Sequence, residues 1–137
     1  MQPAWVLHRR PYADNSLLIE LFTYQQGRMA CLARGAKKGK SPRAVLLQPF
    51  TPLLIAISGR AELKNLQSCE ASGAPLALQG QPLYAGFYLN ELLMQFLPRH
   101  EQLQNVFAWY NELLDRLAKT PGAFEAQLRL FERRLLD

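Results

Sequence analysis

The chain of 137 residues carries 16 Lys/Arg against 11 Asp/Glu, a formal charge of +5, and 49% of its residues are hydrophobic. That length suits one compact domain or two small ones, and the apolar share excludes a disordered chain. The charge is uneven: residues 1 to 80 hold ten cations and four acids, residues 81 to 137 six and seven. A basic first part points to nucleic acid, an anionic membrane or an acidic protein tail.

Ala4 to Arg9 is short, apolar and rich in strand formers, and predicts a first strand. Arg9 to Ser16 reads as a loop, because Pro11 lacks a ladder donor and Asp14-Asn15 favours a turn. Ser16 to Thr23 alternates as a second strand, Tyr24 to Gly27 as a hairpin turn, and Arg28 to Arg34 as a third strand. In that third strand the period leaves two inward sets open, Met29/Cys31/Ala33 or Ala30/Leu32. Ser41-Pro42 suits the N-cap and first position of a short helix through Leu47. Leu53 to Ile57 and Ala61 to Glu70 are the fourth and fifth strands, with Ser58-Gly59-Arg60 as the turn between them.

Beyond Ser72-Gly-Ala-Pro75 the period turns helical. Leu83 to Leu97 is apolar nearly all round, which predicts a buried central helix stopped by Pro98. Leu103, Val106, Phe107, Tyr110, Leu113, Leu114 and Leu117 recur at amphipathic-helix spacing. Thr120-Pro121 suits the start of a third helix, whose stripe is Phe124, Leu128, Phe131 and Leu135. The fold class expected is a five-stranded OB-fold (residues 1–78) followed by an all-α region of about three helices (79–137). A five-stranded barrel of SH3 type is the competing architecture. Leu135 and Leu136, still apolar at the chain end, suggest that the natural chain continues or that its end packs on something.

Cys31 and Cys69 form no C-x-x-C pair and lie far in sequence from His8 and His100, so two buried thiols, no metal and no cofactor are expected. No apolar run reaches the roughly 20 residues that cross a bilayer, and the amino terminus lacks a signal-peptide core. A cytoplasmic, nucleoid-associated protein is the expectation.

Val6-Leu7-His8, Leu21-Phe22-Thr23, Gly27-Arg28, Ala33-Arg34-Gly35-Ala36, Leu47-Gln48-Pro49-Phe50, Tyr88-Leu89-Asn90-Glu91-Leu92 and Phe131-Glu132-Arg133-Arg134-Leu135-Leu136 stand in one order and spacing. In that order the chain resembles the RecO family of bacterial recombination mediators, over all its residues. Family members continue into further helices, so the resemblance covers the amino-terminal OB-fold and the first part of the helical domain. It implies a DNA-repair protein that binds single- and double-stranded DNA and anneals complementary strands. It also implies partners: the acidic tail of single-strand binding protein, RecR, and RecA during loading.

The residues carry their own reading beside the resemblance. Leu21 to Ala61 contains no acidic residue, and Arg34 to Arg43 packs five cations around glycines. An OB-fold binds strands on the face of its second and third strands and on the loop joining the first two. That surface would hold Arg9, Arg10, Arg28 and Arg34, with Lys37, Lys38, Lys40 and Arg43 as a basic arm over phosphates. Tyr12 and Tyr24 are candidates for base stacking. The reading requires these cations on one side of the barrel, not bound internally by Glu20 and Glu62.

A protein-interaction module is the alternative, with DNA binding minor. Arg129 and Arg133, one turn apart on the last helix beside Arg134, would edge a groove for an acidic peptide. An enzyme ranks below both. Gly35 to Ser41 has three residues between its glycines where a P-loop needs four, and no carboxylate pair or triad pattern is present. The cations lie in a glycine-rich loop, not along an amphipathic helix, which argues against a membrane binder.

Overall fold

The computed structural model describes residues 1–36, 42–120 and 122–136. Five strands, β1 (Gln2–Tyr12), β2 (Ser16–Thr23), β3 (Gly27–Arg34), β4 (Leu53–Ser58) and β5 (Lys64–Ala71), close into a barrel in the order β1-β2-β3-β5-β4. The β3–β5 pair is parallel and the other neighbours are antiparallel. This closure gives the barrel OB-fold topology and settles the choice against the SH3 type. A short helix, α1 (Pro42–Leu46), follows β3, and α2 (Gln81–Phe96), α3 (Gln104–Lys119) and α4 (Glu125–Leu136) follow the barrel.

Period-two alternation fills the barrel. Leu17, Ile19 and Leu21 of β2 and Met29, Cys31 and Ala33 of β3 point inward, so the first of the two sets open for β3 is the buried one. Ala44 and Leu47 are also buried, and Leu47 joins the barrel core, which makes α1 and its exit the plug of one end. A second core lies outside the cylinder. Trp5, Leu7, Phe22 and Phe50 from the barrel half join Leu89, Leu93, Phe107, Tyr110, Leu114 and Phe131 of the helices. Phe22 meets Phe107 and Tyr110 edge-on, with ring centroids 5.1 and 5.9 Å apart. Trp5 Nε1 donates to Asn111 Oδ1 at 2.6 Å. The two halves are therefore joined by a hydrophobic interior.

Close approach fixes their relation. A Cβ on Gly27 (φ +70°) would lie 1.8 Å from the Glu101 carbonyl oxygen, and one on Gly86 would lie 2.7 Å from the Phe50 ring. Only glycine fits at position 27, and a larger residue at 86 must displace the Phe50 ring.

Four expectations are corrected. Arg9 to Tyr12 continue β1, and the turn is confined to Ala13, Asp14 and Asn15. Because β4 pairs with β1 only over Gln2–Ala4, Pro11 is in a ladder on one edge alone, where a missing N–H is tolerated. β5 starts at Lys64, leaving a longer turn after β4. Helix α2 is not buried all round: Tyr84, Phe87, Tyr88 and Phe96 are exposed, because the packed face is the one carrying Ala85, Leu89, Leu92 and Leu93. Thr120 closes α3, donating its N–H to Arg116 O, and α4 begins at Glu125. Ser41 and Pro121, expected in caps, lie outside the described residues.

Candidate nucleic-acid interface

The outer face of β1–β3 is set by register. Trp5, Phe22 and Arg28 lie opposite one another across the three strands; then His8, Glu20 and Ala30; then Arg10, Leu18 and Leu32; then Tyr12, Ser16 and Arg34. A β-bulge between Val6 and His8 sets this arrangement. It lets Leu7 and His8 both stay on the outer side and turns Arg9 inward opposite Ile19. The helices cover the Trp5–Phe22 end of the face. Among the described residues, nothing covers the other end, from Arg10 to Tyr12 and Arg34.

The predicted cations divide accordingly. Arg10 and Arg34 are exposed on adjoining rungs of that end. Tyr12, 40% exposed, stands beside them. Arg9 instead donates from Nη1 to Ala44 O at 2.8 Å and Leu47 O at 2.9 Å, satisfying carbonyls at the end of α1. Arg43 reaches back to Leu66 O at 3.2 Å and Gln67 O at 3.0 Å, fastening α1 to β5. Lys37, Lys38 and Lys40 lie outside the described residues; in sequence they follow directly on Arg34 and Gly35.

Arg28 is held within the chain. Its Nη1 meets Glu20 Oε2 at 3.2 Å, and its Nε donates to Leu97 O at 2.9 Å. Arg99 binds the other oxygen of Glu20 and lies 3.9 Å from Glu62. The Arg28 carbonyl accepts the His100 N–H at 2.8 Å. Glu20 is 9% exposed, so its pair with Arg28 is largely desolvated, and Arg99 closes the junction between the barrel and the α2–α3 turn from the solvent side. Tyr24 packs edge-on against Phe107, with centroids 5.6 Å apart, at the covered end. Sequence reasoning missed Arg99; its only signal was a cation directly after the helix-stopping Pro98.

On the helical side, Arg129 pairs with Glu132, which also accepts the Tyr88 hydroxyl at 2.6 Å. These contacts hold the Glu132 carboxyl below its usual range, the Tyr88 bond being the main cause. The same bond raises Tyr88. Arg133 sits beside Arg129, Glu132 and Leu136 on a shallow surface. A second notch opens between α3 and α4, where Trp109, Leu113, Leu130 and Phe131 are edged by Arg116 and Arg134. The Arg134 guanidinium lies 4.9 Å from the Trp109 ring centroid.

Cys31 is fully buried, and burial pushes its thiol up to about 12; partial burial likewise raises Cys69. Among the described residues no group of three His, Cys, Asp or Glu side chains is placed to hold a metal ion. Among them, no helix is long and apolar enough to cross a membrane.

The architecture defines a class: an OB-fold barrel with a helical lobe packed on half of its outer sheet face, leaving a cation-bearing end open. Comparison with known proteins then gives the family. The model described as "Recombination protein O N terminal" matches residues 1–74, and "Recombination protein O C terminal" matches residues 77–137. The chain belongs to the RecO family of DNA repair proteins. It is 48% identical over 134 residues to the DNA repair protein RecO of Methylococcus capsulatus, covering 98% of this chain and 55% of that protein. It is 46% identical over 137 residues to that of Coxiella burnetii, with coverage of 100% and 58%. For Nitrosospira multiformis the figures are 47% over 136 residues, 99% and 56%. The chain thus spans a little over half the length of these curated relatives.

Proposed function

We propose that this chain binds single- and double-stranded DNA through the open end of the β1–β3 face, as part of a non-enzymatic recombination mediator in DNA repair. The observation that carries the reading is the pair Arg10 and Arg34, exposed on adjoining rungs with Tyr12, at the point where the Lys37, Lys38 and Lys40 segment leaves β3. Cations on such a face displace counterions from phosphates and leave base edges free. Two strands whose backbone repulsion is screened can then find their complements, which is annealing without any bond made or broken. Work alongside RecR and in RecA loading extends this reading on the strength of the family.

Fluorescence anisotropy on a labelled single-stranded oligonucleotide tests it. Replacing Arg10, Arg34, Lys37, Lys38 and Lys40 with alanine is expected to remove most binding at moderate salt. Unchanged affinity in a folded variant would end the proposal.

A second reading has its own observation, the Trp109–Phe131 notch edged by Arg116 and Arg134. An apolar slot with arginine rims suits a peptide that ends in an aromatic residue and carboxylates, as expected of the single-strand binding protein tail. Arg129 is engaged by Glu132, so Arg134→Glu is the stronger test in a peptide titration, and Arg129→Glu the weaker.

A further inference from the structure

Arg99 stands in the α2–α3 turn, yet its side chain ends on the outer sheet face of the barrel. An isolated β-bridge pairs Arg99 with Arg28, and the next N–H, that of His100, donates to the Arg28 carbonyl at 2.8 Å. Glu20 then holds the guanidinium through Nη2. Glu20 lies on the rung of His8 and Ala30, which adjoins the rung of Arg10. Arg99 is thus fixed at its backbone and at its tip, while its side chain stays 40% exposed. The charges here do not cancel. Arg28 already neutralises Glu20 and also donates to Leu97 O. Arg99 brings a second cation to the same carboxylate, so the three side chains carry a net +1 whose exposed member is Arg99. Glu62 is a weak counterion, 72% exposed and 3.9 Å from Arg99 Nη1.

We infer that Arg99 is a phosphate contact, a sixth cation of the DNA-binding surface, with Glu20 as the residue that positions it. The inference rests on the DNA-binding reading and extends its footprint towards the helical lobe. A guanidinium has five N–H donors in a fork that matches phosphate oxygens. Among the described residues, Arg99 spends one of them on Glu20. A side chain immobilised in advance also loses less freedom when a phosphate arrives. Rungs on one face are two residues, about 7 Å, apart along a strand, so Arg99 meets the sheet about 7 Å beyond the Arg10 rung and about 13 Å beyond that of Arg34. At the roughly 3.4 Å rise of a B-form strand that span is about four nucleotides, within the ~4–16 that one OB-fold holds. A strand laid over Arg34 and Arg10 therefore brings a phosphate to Arg99.

Anisotropy of a labelled single-stranded oligonucleotide across a salt series, on the full chain, tests the contact. Arg99→Gln is expected to weaken binding several-fold at low salt, equally on unrelated sequences. It should also lower the slope of log affinity against log salt by about 0.7. Arg99→Lys keeps a charge in place and should keep the slope. Glu62→Gln, at an exposed position, should tighten wild-type binding about twofold, and a double-mutant cycle should show no such gain in Arg99→Gln. In wild-type ¹H–¹⁵N spectra the Arg99 Nε–H resonance should shift when the strand is added. A folded Arg99→Gln variant with the wild-type slope, or a Glu62→Gln gain that persists without Arg99, overturns the contact and leaves the DNA reading standing. An Arg99 resonance that the bound strand leaves unmoved does the same, even where Arg99→Gln does not fold. A wild-type chain that fails to bind overturns the DNA reading and this contact together.

Discussion

Arg9 and Arg10 are neighbours in the chain, yet the bulge in β1 sends one guanidinium to the carbonyls of α1 and leaves the other on the open face. Their alanine variants should separate. Arg9→Ala loses charge-assisted bonds to two carbonyls and should cost about 1–3 kcal/mol in urea unfolding. Arg10→Ala should leave stability within about 0.5 kcal/mol of wild type and weaken binding of DNA. Arg28 behaves like Arg9: its removal leaves Glu20 desolvated with only Arg99, and a loss of about 2–4 kcal/mol is expected. At Cys31 the folded thiol keeps its proton up to about 12, whereas an unfolded one loses it near 9.0. Between those values the unfolded state binds fewer protons, so stability falls as pH rises. From pH 9 to 10.5 that fall should be about 1–2 kcal/mol steeper than in Cys31→Ala, as denaturant midpoints at each pH would show.

At the scale of elements, the start of β3 and the α2–α3 turn act as one joint. Gly27 touches the Glu101 backbone, and Arg28 contributes its side chain to Leu97 and its carbonyl to His100. Gly27→Ala forces a methyl into a backbone carbonyl at a positive φ and should cost more than about 2 kcal/mol. The loss should reach the helices as well as the barrel, with Trp109 fluorescence reporting it. Helix α2 shows what a hydrophobic pattern alone leaves undecided. Its apolar residues run round the helix, but the packed side needs only the stripe through Leu89 and Leu93, and the rest of the surface stays open at Tyr84 and Tyr88.

Across the whole molecule, the outer core makes barrel and helices a single cooperative body, since Trp5, Phe22 and Phe50 have no cover without the helices. Urea unfolding followed by tryptophan fluorescence and by far-ultraviolet circular dichroism should therefore give coincident transitions; two separated midpoints would contradict it. With five cations (Arg10, Arg34, Lys37, Lys38 and Lys40) on phosphates, log affinity for single strands should fall against log salt with a slope of about −3 to −4. Internal use of Arg9, Arg28 and Arg43 predicts that adding their alanine variants leaves that slope unchanged.

Alternation and period, which are local, carried the barrel and the three helices, because burying one face of each element demands them, and a capping signal carried the short helical insert. The acid-free stretch pointed to a basic surface, yet two of its arginines, Arg28 and Arg43, are held within the chain. Which cations remain free was beyond sequence, because a bulge at Val6–His8 reverses facing by one residue and Glu20 meets Arg28 and Arg99 only once the helices dock. The same docking buries Asn90 against the Tyr110 hydroxyl, a juxtaposition of α2 with α3 that no spacing along the chain encodes. Side-chain periodicity is a property of single elements; partnership of charges and donors belongs to the contacts between them.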